Sequence, residues 1–227
     1  MASGLMEEPL DSFVPTERTR VRRRHERGHY DRETTYAILD AGFICTIGYG
    51  IDGQPLVTPT AYWREGDRVY WHGSAASRML RHEAEGIPVC FTVTHVDGLV
   101  VARAAFHTSI NYRSVMALGT AEFVGDECHK LAALRNFVER IYPGRWDALR
   151  PVTAQEVKAT TVLTMRLEEV SAKVRTGQPK DDEEDYALPI WAGVVPLGLV
   201  AGPPQADPRN LPGVPIPPEV RRFGLFS

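Results

Sequence analysis

The sequence predicts a mainly β (α+β) protein, an antiparallel barrel or sandwich with a few helices and an extended tail. Short runs rich in Val, Ile, Thr and aromatic residues follow one another from residue 43 to 124. Asp52-Gly53, Glu65-Gly66-Asp67 and Asp97-Gly98 punctuate them and read as hairpin turns. Strands joined this tightly are antiparallel, because parallel pairs need long crossovers.

The first thirty residues are polar, with Arg18, Arg20, Arg22, Arg23, Arg24 and Arg27 close together, and read as a solvated or wrapping arm. Asp31 is placed to cap a helix running to Asp40, with Gly42 as its stop. The expected strands are Phe43–Tyr49, Pro55–Trp63, Arg68–Trp71, Pro88–His95, Leu99–Phe106 and Arg113–Val124. A helix is expected from Ser74 to Glu85, with Ser74 as its cap. A second runs from Asp126 to Tyr142, with Leu131, Leu134, Val138 and Ile141 on one stripe. Thr153-x-x-Glu156 is a capping box and starts a short third one. Thr160–Leu167 resumes the strand pattern, Leu163, Met165 and Leu167 alternating with Val162, Thr164 and Arg166. Beyond Gly177 comes an acidic run, residues 181–185, and nine of the 17 prolines lie from Pro189 onward. The expected division is an arm (1–30), a barrel domain (31–176) and an extension (177–227) packing on the barrel or on a partner copy.

With 227 residues and 43% hydrophobic composition the chain suits one core. The net charge of −3 argues against a general affinity for nucleic acid. Three cysteines are an odd number for a disulfide scaffold and point to a reducing, cytoplasmic compartment. Cys45 and Cys90 sit in strand-like runs as core residues, and Cys128-His129 lacks further ligands at metal spacing. Met1 to Leu10 has no apolar stretch resembling a secretory leader, and Tyr186 to Pro204 is too interrupted for a membrane span.

Two motif matches fail on context. His25-Glu26-Arg27-Gly28-His29 fits H-E-x-x-H, which leaves a zinc hydrolase through His25 and His29 as a remote alternative. Arginines flank it instead of an apolar helix face, and Gly28 weakens any helix there. Gly48-Tyr49-Gly50-Ile51-Asp52-Gly53 fits G-x-G-x-x-G, but a strand rather than a helix N-terminus follows it.

The stretch from Val69 to Arg78 is more informative. A strand ends at His72-Gly73, and Ser74, Ser77 and Arg78 gather hydroxyls, free amides and a guanidinium at the start of a helix. That combination suits a phosphate, although a capped surface helix has the same spacing. Asn111-Tyr112-Arg113-Ser114-Val115 opens another strand with a basic-aromatic cluster.

Taken in order, Gly53-Gln54-Pro55-Leu56-Val57-Thr58-Pro59-Thr60, the His72-Gly73-Ser74…Ser77-Arg78 block and Tyr112-Arg113-Ser114-Val115 carry a resemblance. The chain resembles the FMN-binding split-barrel superfamily of pyridoxamine 5′-phosphate oxidase, in its nitroimidazole-reductase-like branch, over Thr16 to Pro196. The resemblance implies a six-stranded Greek-key split β-barrel that forms a homodimer, with FMN in clefts between the subunits. It implies that Ser77 and Arg78 hold the FMN phosphate and that His72, Gly73 and Ser74 line its approach. Thr58, Pro59 and Thr60 would run along the isoalloxazine edge. Arg113 and Ser114 would reach the phosphate region from the partner, and Trp191 would pack near the ring.

The pyridoxamine oxidases' own substrate motifs are missing, so pyridoxamine phosphate oxidation is not expected. The function implied is an FMN-dependent oxidoreductase taking hydride from NADH or NADPH and reducing a small nitroaromatic or quinone. His72 is the candidate proton donor. The alternative is a non-catalytic flavin-binding or sensing protein.

Overall fold

The computed structural model describes residues 11–221; residues 1–10, with the leader reading made on them, and residues 222–227 lie outside the described part. A 3-10 turn at His25–Arg27 precedes β1 (Gly28–His29), α1 (Arg32–Asp40), β2 (Ile44–Ile51), β3 (Gln54–Glu65), β4 (Arg68–Ser74) and α2 (Arg78–Glu83). Then come β5 (Pro88–Val101), β6 (Ser109–Thr120), β7 (Glu122–Phe123), α3 (Glu127–Ile141) and α4 (Ala154–Ala159). The chain ends with β8 (Thr160–Arg166), β9 (Glu169–Arg175), β10 (Gly193–Pro196) and α5 (Pro218–Arg221).

The strands form one curled antiparallel sheet in the order β1-β9-β6-β5-β2-β3-β4-β8-β7, with β10 added to β5. Among the described residues ten strands stand where the resemblance implied six. The short β1, β7 and β10 arise because the flanking segments pair with open edges, as β10 does with Gly98–Val101.

Alternation along the strands fills the interior. Cys45 and Ile47, Tyr62, Val69 and Trp71, Phe91 and Val93, Val115 and Ala117, and Leu163 and Met165 all face one core. The other face of β3, β4 and β8 presents Trp63, Tyr70 and Val162 to α3, where Leu134 and Phe137 cover them. Helix α1 closes one end of the barrel: its N-cap Asp31 accepts from the Thr34 amide at 2.7 Å, and its Leu39 carbonyl accepts from the Tyr62 hydroxyl at 2.5 Å.

Two expectations are corrected. Asp97-Gly98 is a bulge, not a hairpin turn. β5 runs through it, and its register against β6 shifts between Val96 and Gly98 while both halves stay paired. Ser74 is not the helix cap. β4 continues through Ser74 because β8 supplies pairing partners as far as Thr160, and the cap of α2 is Ser77. Here a tertiary partner outweighs the local capping signal.

The flanking segments dock on the barrel. Phe13 is buried in the core, the Arg32 guanidinium lies 4.4 Å from its ring centroid, and Arg18 Nε donates to Glu169 at 3.1 Å. In the extension, the Asp181 carboxylate accepts from the Arg103 amide at 3.0 Å and from its Nη1 at 3.1 Å. Arg145 Nη1 donates to Glu219 at 3.2 Å. His25 lies in the 3-10 turn and His29 in β1, so the zinc-hydrolase spacing is not presented on a helix. Among the described residues no helix is long and apolar enough to cross a membrane.

Candidate functional site

β3 and β4 pair only from Tyr62↔Trp71 to Glu65↔Arg68. Beyond that point they part. β3 runs on from Ala61 back to Gln54 with β2 as its sole strand partner among the described residues. β4 runs on through Ser74 with β8 as its partner. The barrel is therefore split, and each strand turns one unpaired lip to the opening.

Thr58, Pro59 and Thr60 form one lip. The Thr58 hydroxyl is 3.3 Å from the Tyr49 hydroxyl, and the Thr60 carbonyl accepts from the Cys45 thiol at 3.5 Å. His72, Gly73 and Ser74 form the other. Gly73 lets the lip approach α2 closely: a Cβ there would stand 2.8 Å from Leu80 Cδ1. Below this lip the Ser77 hydroxyl accepts from the Leu80 amide at 3.5 Å, and Ser74 Oγ accepts from the Ala76 amide at 3.2 Å. Arg78 opens α2 and is exposed; its guanidinium has no hydrogen-bond or ion-pair partner among the described residues.

His72 is half-buried. Its ring meets Phe137 at 4.7 Å and Trp63 at 5.7 Å, both edge-on. Nδ1 is buried without a partner. Burial alone lowers its pKa from the ordinary histidine value, so the imidazole is held neutral. One turn below, the fully buried Glu83 accepts from Trp71 Nε1 at 2.9 Å. Its second oxygen has no partner, and burial, opposed by the Trp71 hydrogen bond and the nearby His82, pushes its pKa up to about 7. Sequence reasoning passed over Glu83. Its signal was the three-residue spacing from Leu80, which puts both on the inward side of α2.

The remaining expected site residues lie elsewhere on the chain. Arg113 and Ser114 are on β6, separated from β4 in the sheet path by β5, β2 and β3. Asp97 engages the Arg113 fork with bonds of 2.9 and 3.0 Å, which raises the Arg113 pKa further. Ser114 Oγ donates to the Lys173 carbonyl at 3.4 Å. Arg113 instead walls a cleft of about 580 Å³ with Phe43, Ile44, His95, Leu197 and Leu199. The cleft exists because β2 pairs with β5 at residues 90–92 and β10 at 98–101, which leaves the edge between them open. Trp191 is largely exposed, at 67%, and its indole lies beside Gly193.

An antiparallel barrel opened between two central strands, with a small basic helix under one lip, defines the split-barrel class. The chain belongs to the pyridoxamine 5′-phosphate oxidase family, whose sequence model matches residues 31–174.

Among solved structures, the flavocytochrome Anf3 from Azotobacter vinelandii is 51% identical, with a TM-score of 0.89 over 93% of this chain and 98% of that one. A protein from Mycobacterium smegmatis described as binding FAD and haem is 38% identical, with a TM-score of 0.84 over 87% of this chain and 97% of that one. A 5-nitroimidazole antibiotic resistance protein homologue from Bacteroides thetaiotaomicron, 22% identical with a TM-score of 0.52 over 63% of this chain and 84% of that one, shares the fold. The comparison with curated proteins returns no match. A match over 93% of 227 residues leaves out about 16, so the first of these includes most of residues 175–227, which the family model omits.

Proposed function

We propose that this protein is a flavin-dependent redox protein that binds a flavin nucleotide at the split between β3 and β4 and carries haem as a second redox group. The observation that carries the flavin half is the pair of open lips with the unpartnered Arg78 beneath one of them. A flavin needs hydrogen-bonding groups along one ring edge and a cation at its phosphate, and this opening offers both. The haem half is supported by the descriptions of the flavocytochrome and of the FAD- and haem-binding protein, each similar over most of the chain. The second description also favours FAD over the FMN that the family resemblance implies.

When bound, the flavin supplies hydride and single-electron exchange, chemistry that no side chain offers. The chain's own residues bind, orient and exclude water. Ser77 and Arg78 hold the phosphate, the guanidinium by a charge-assisted fork. Thr58 and Thr60 present backbone donors and acceptors along the ring edge, and Pro59 presents only its carbonyl. Trp63 and Phe137 keep water from the inner face of His72. Because burial disfavours the imidazolium, His72 is a poor proton donor near neutral pH.

The proposed electron source is a reduced nicotinamide, and the proposed acceptor a small nitroaromatic or quinone, in a reducing cytoplasm. The proposed assembly is a homodimer, supported by Ile44, Val57, Val96, Leu99 and Ile110, which leave large apolar side chains exposed on the sheet. In such a dimer Arg113, Ser114 and Trp191 would approach the partner's cofactor, with Arg113 bringing Asp97 along. Non-catalytic flavin binding is distinguished by mixing: bleaching of the flavin by NADH or NADPH marks an oxidoreductase.

The test is a fluorescence titration of flavin into cofactor-free wild type and Arg78→Ala. The variant is expected to bind about tenfold or more weakly; equal affinities would overturn the phosphate assignment.

A further inference from the structure

We propose that the basic pocket between the N-terminal arm and the end of β9 binds a small phosphorylated molecule, a nucleotide whose phosphate meets Arg27 and Arg175 and whose base lies on Phe106. The pocket shares no residue with the flavin opening, and the inference does not depend on the function proposed above.

Strand pairing fixes one wall. Gly28 pairs with Lys173 and His29 with Ala172 on β9, so the turn just before β1 lies beside the end of β9. In that turn Arg24 has a left-handed backbone, φ 56°, which residues with a side chain seldom adopt. Its carbonyl accepts from the Arg27 amide at 3.0 Å. The turn and β9 enclose a cavity of about 370 Å³ lined by Arg24, Arg27, Arg175 and Lys180, with Glu26 the one carboxylate of the lining among the described residues.

Four cations thus face one acid, and Glu26 reaches only Arg27, at 3.9 Å. Arg24, Arg175 and Lys180 have no carboxylate partner among the described residues. Of the acids around His107, Asp181 is fully buried and held by the Arg103 amide and guanidinium. Asp182 stands in solvent, 4.0 Å from His107 Nε2.

Arg175 is the fixed member of the set. Its Nη1 donates to the Asn111 side-chain carbonyl, and Asn111, itself buried, donates through Nδ2 to the Gly177 carbonyl at 3.1 Å. This anchor uses one of the five guanidinium N–H groups and neutralises no charge. Burial and the neighbouring Arg27 both lower the Arg175 pKa, the sign of like charges held together without a counter-ion. A phosphate between them relieves the repulsion and takes up the remaining donors.

Size and rim define the ligand. A cavity of about 370 Å³ stands at the low end of small-molecule pockets, roughly 300–1,000 Å³. It is too small for a polymer, in keeping with the net charge of −3. Thr108 and Ser109 add hydroxyls to the lining. Phe106, also in the lining, is 100% exposed. A bare aromatic ring beside a cation cluster is a platform on which a flat base stacks.

The experiment is calorimetric titration of AMP, inorganic phosphate and adenosine into the full-length protein at low ionic strength. Wild type, Arg27→Gln, Arg175→Gln, Lys180→Gln, Phe106→Ala and the surface control Arg209→Ala are compared, with a thermal melt of each to confirm folding. Wild type is expected to bind AMP at least tenfold more tightly than phosphate or adenosine. R27Q and R175Q should each weaken AMP binding about tenfold or more. K180Q, at an exposed position where folding is not at stake, should weaken it by a smaller factor. F106A should weaken AMP and leave phosphate binding unchanged, and R209A should change neither. A wild type that binds no AMP, or AMP affinity that R27Q, R175Q and K180Q leave intact, would overturn the site. Phosphate bound as tightly as AMP, with F106A without effect, would overturn the nucleotide assignment.

Discussion

Glu83 is a carboxyl group sealed in the barrel with one donor and one unpartnered oxygen. Its pKa rises from 4.5 to about 7 on folding. Between these values the native state holds a proton that the unfolded chain has released. Its stabilising contribution is therefore intact below about pH 4.5, declines as pH rises, and is spent above about pH 7. The span corresponds to roughly 3 kcal/mol at most. Chemical denaturation across pH 4.5 to 8 should show this slope in wild type, and Glu83→Gln should flatten it. Equal slopes would mean that the carboxyl is already ionised in the fold. A second prediction concerns Gly42, where a Cβ would lie 2.7 Å from His95 Cε1. Gly42→Ala must push the imidazole off the Ile38 carbonyl and should cost about 1–3 kcal/mol in a thermal melt.

Arg140 ties α3 to the end of α1. Nη1 donates to Asp40 Oδ1 at 3.1 Å, and Nη2 to the Leu39, Asp40 and Gly42 carbonyls at 3.1, 2.9 and 3.0 Å. These include carbonyls that the helix end leaves unsatisfied, and the positive charge sits at the negative pole of the helix. A lysine ammonium cannot span this set, so Arg140→Lys should lower stability by about 1–3 kcal/mol and Arg140→Ala by more.

Elements with local signals were legible. Asp31, Asp126 and the Thr153–Glu156 capping box all stand where capping chemistry predicts. Asp52 and Gly53 take the positive φ values, 51° and 78°, of a tight hairpin. Elements set by distant partners were not legible. Ser74 offers the same hydroxyl as Ser77, and only pairing with Thr160 on β8 decides that it belongs to the strand. Asp97-Gly98 reads as a turn because composition cannot distinguish a turn from a bulge in a strand that stays paired with β6 before and after it. β9 and β10 were missed because their pattern is short and their partners are far away in sequence.

At the scale of the molecule, the strand texture was enough to predict an antiparallel, mainly β fold, and the split follows from β3 and β4 continuing to different partners. The His72–Arg78 stretch stood out in the sequence because glycine, hydroxyl and arginine occur there together, whereas Thr58–Thr60 were named only through the family resemblance. The bond between Arg113 and Asp97 was not legible, since it joins β6 to the β5 bulge across a long loop.

The most direct test of the account is the visible absorption spectrum of the freshly purified protein, followed by heat release and chromatography of its chromophores. The account predicts flavin bands together with a Soret band, and about one released flavin per chain. A colourless protein that also refuses added flavin would contradict it, and Ser77–Arg78 would then be no more than the start of a capped surface helix.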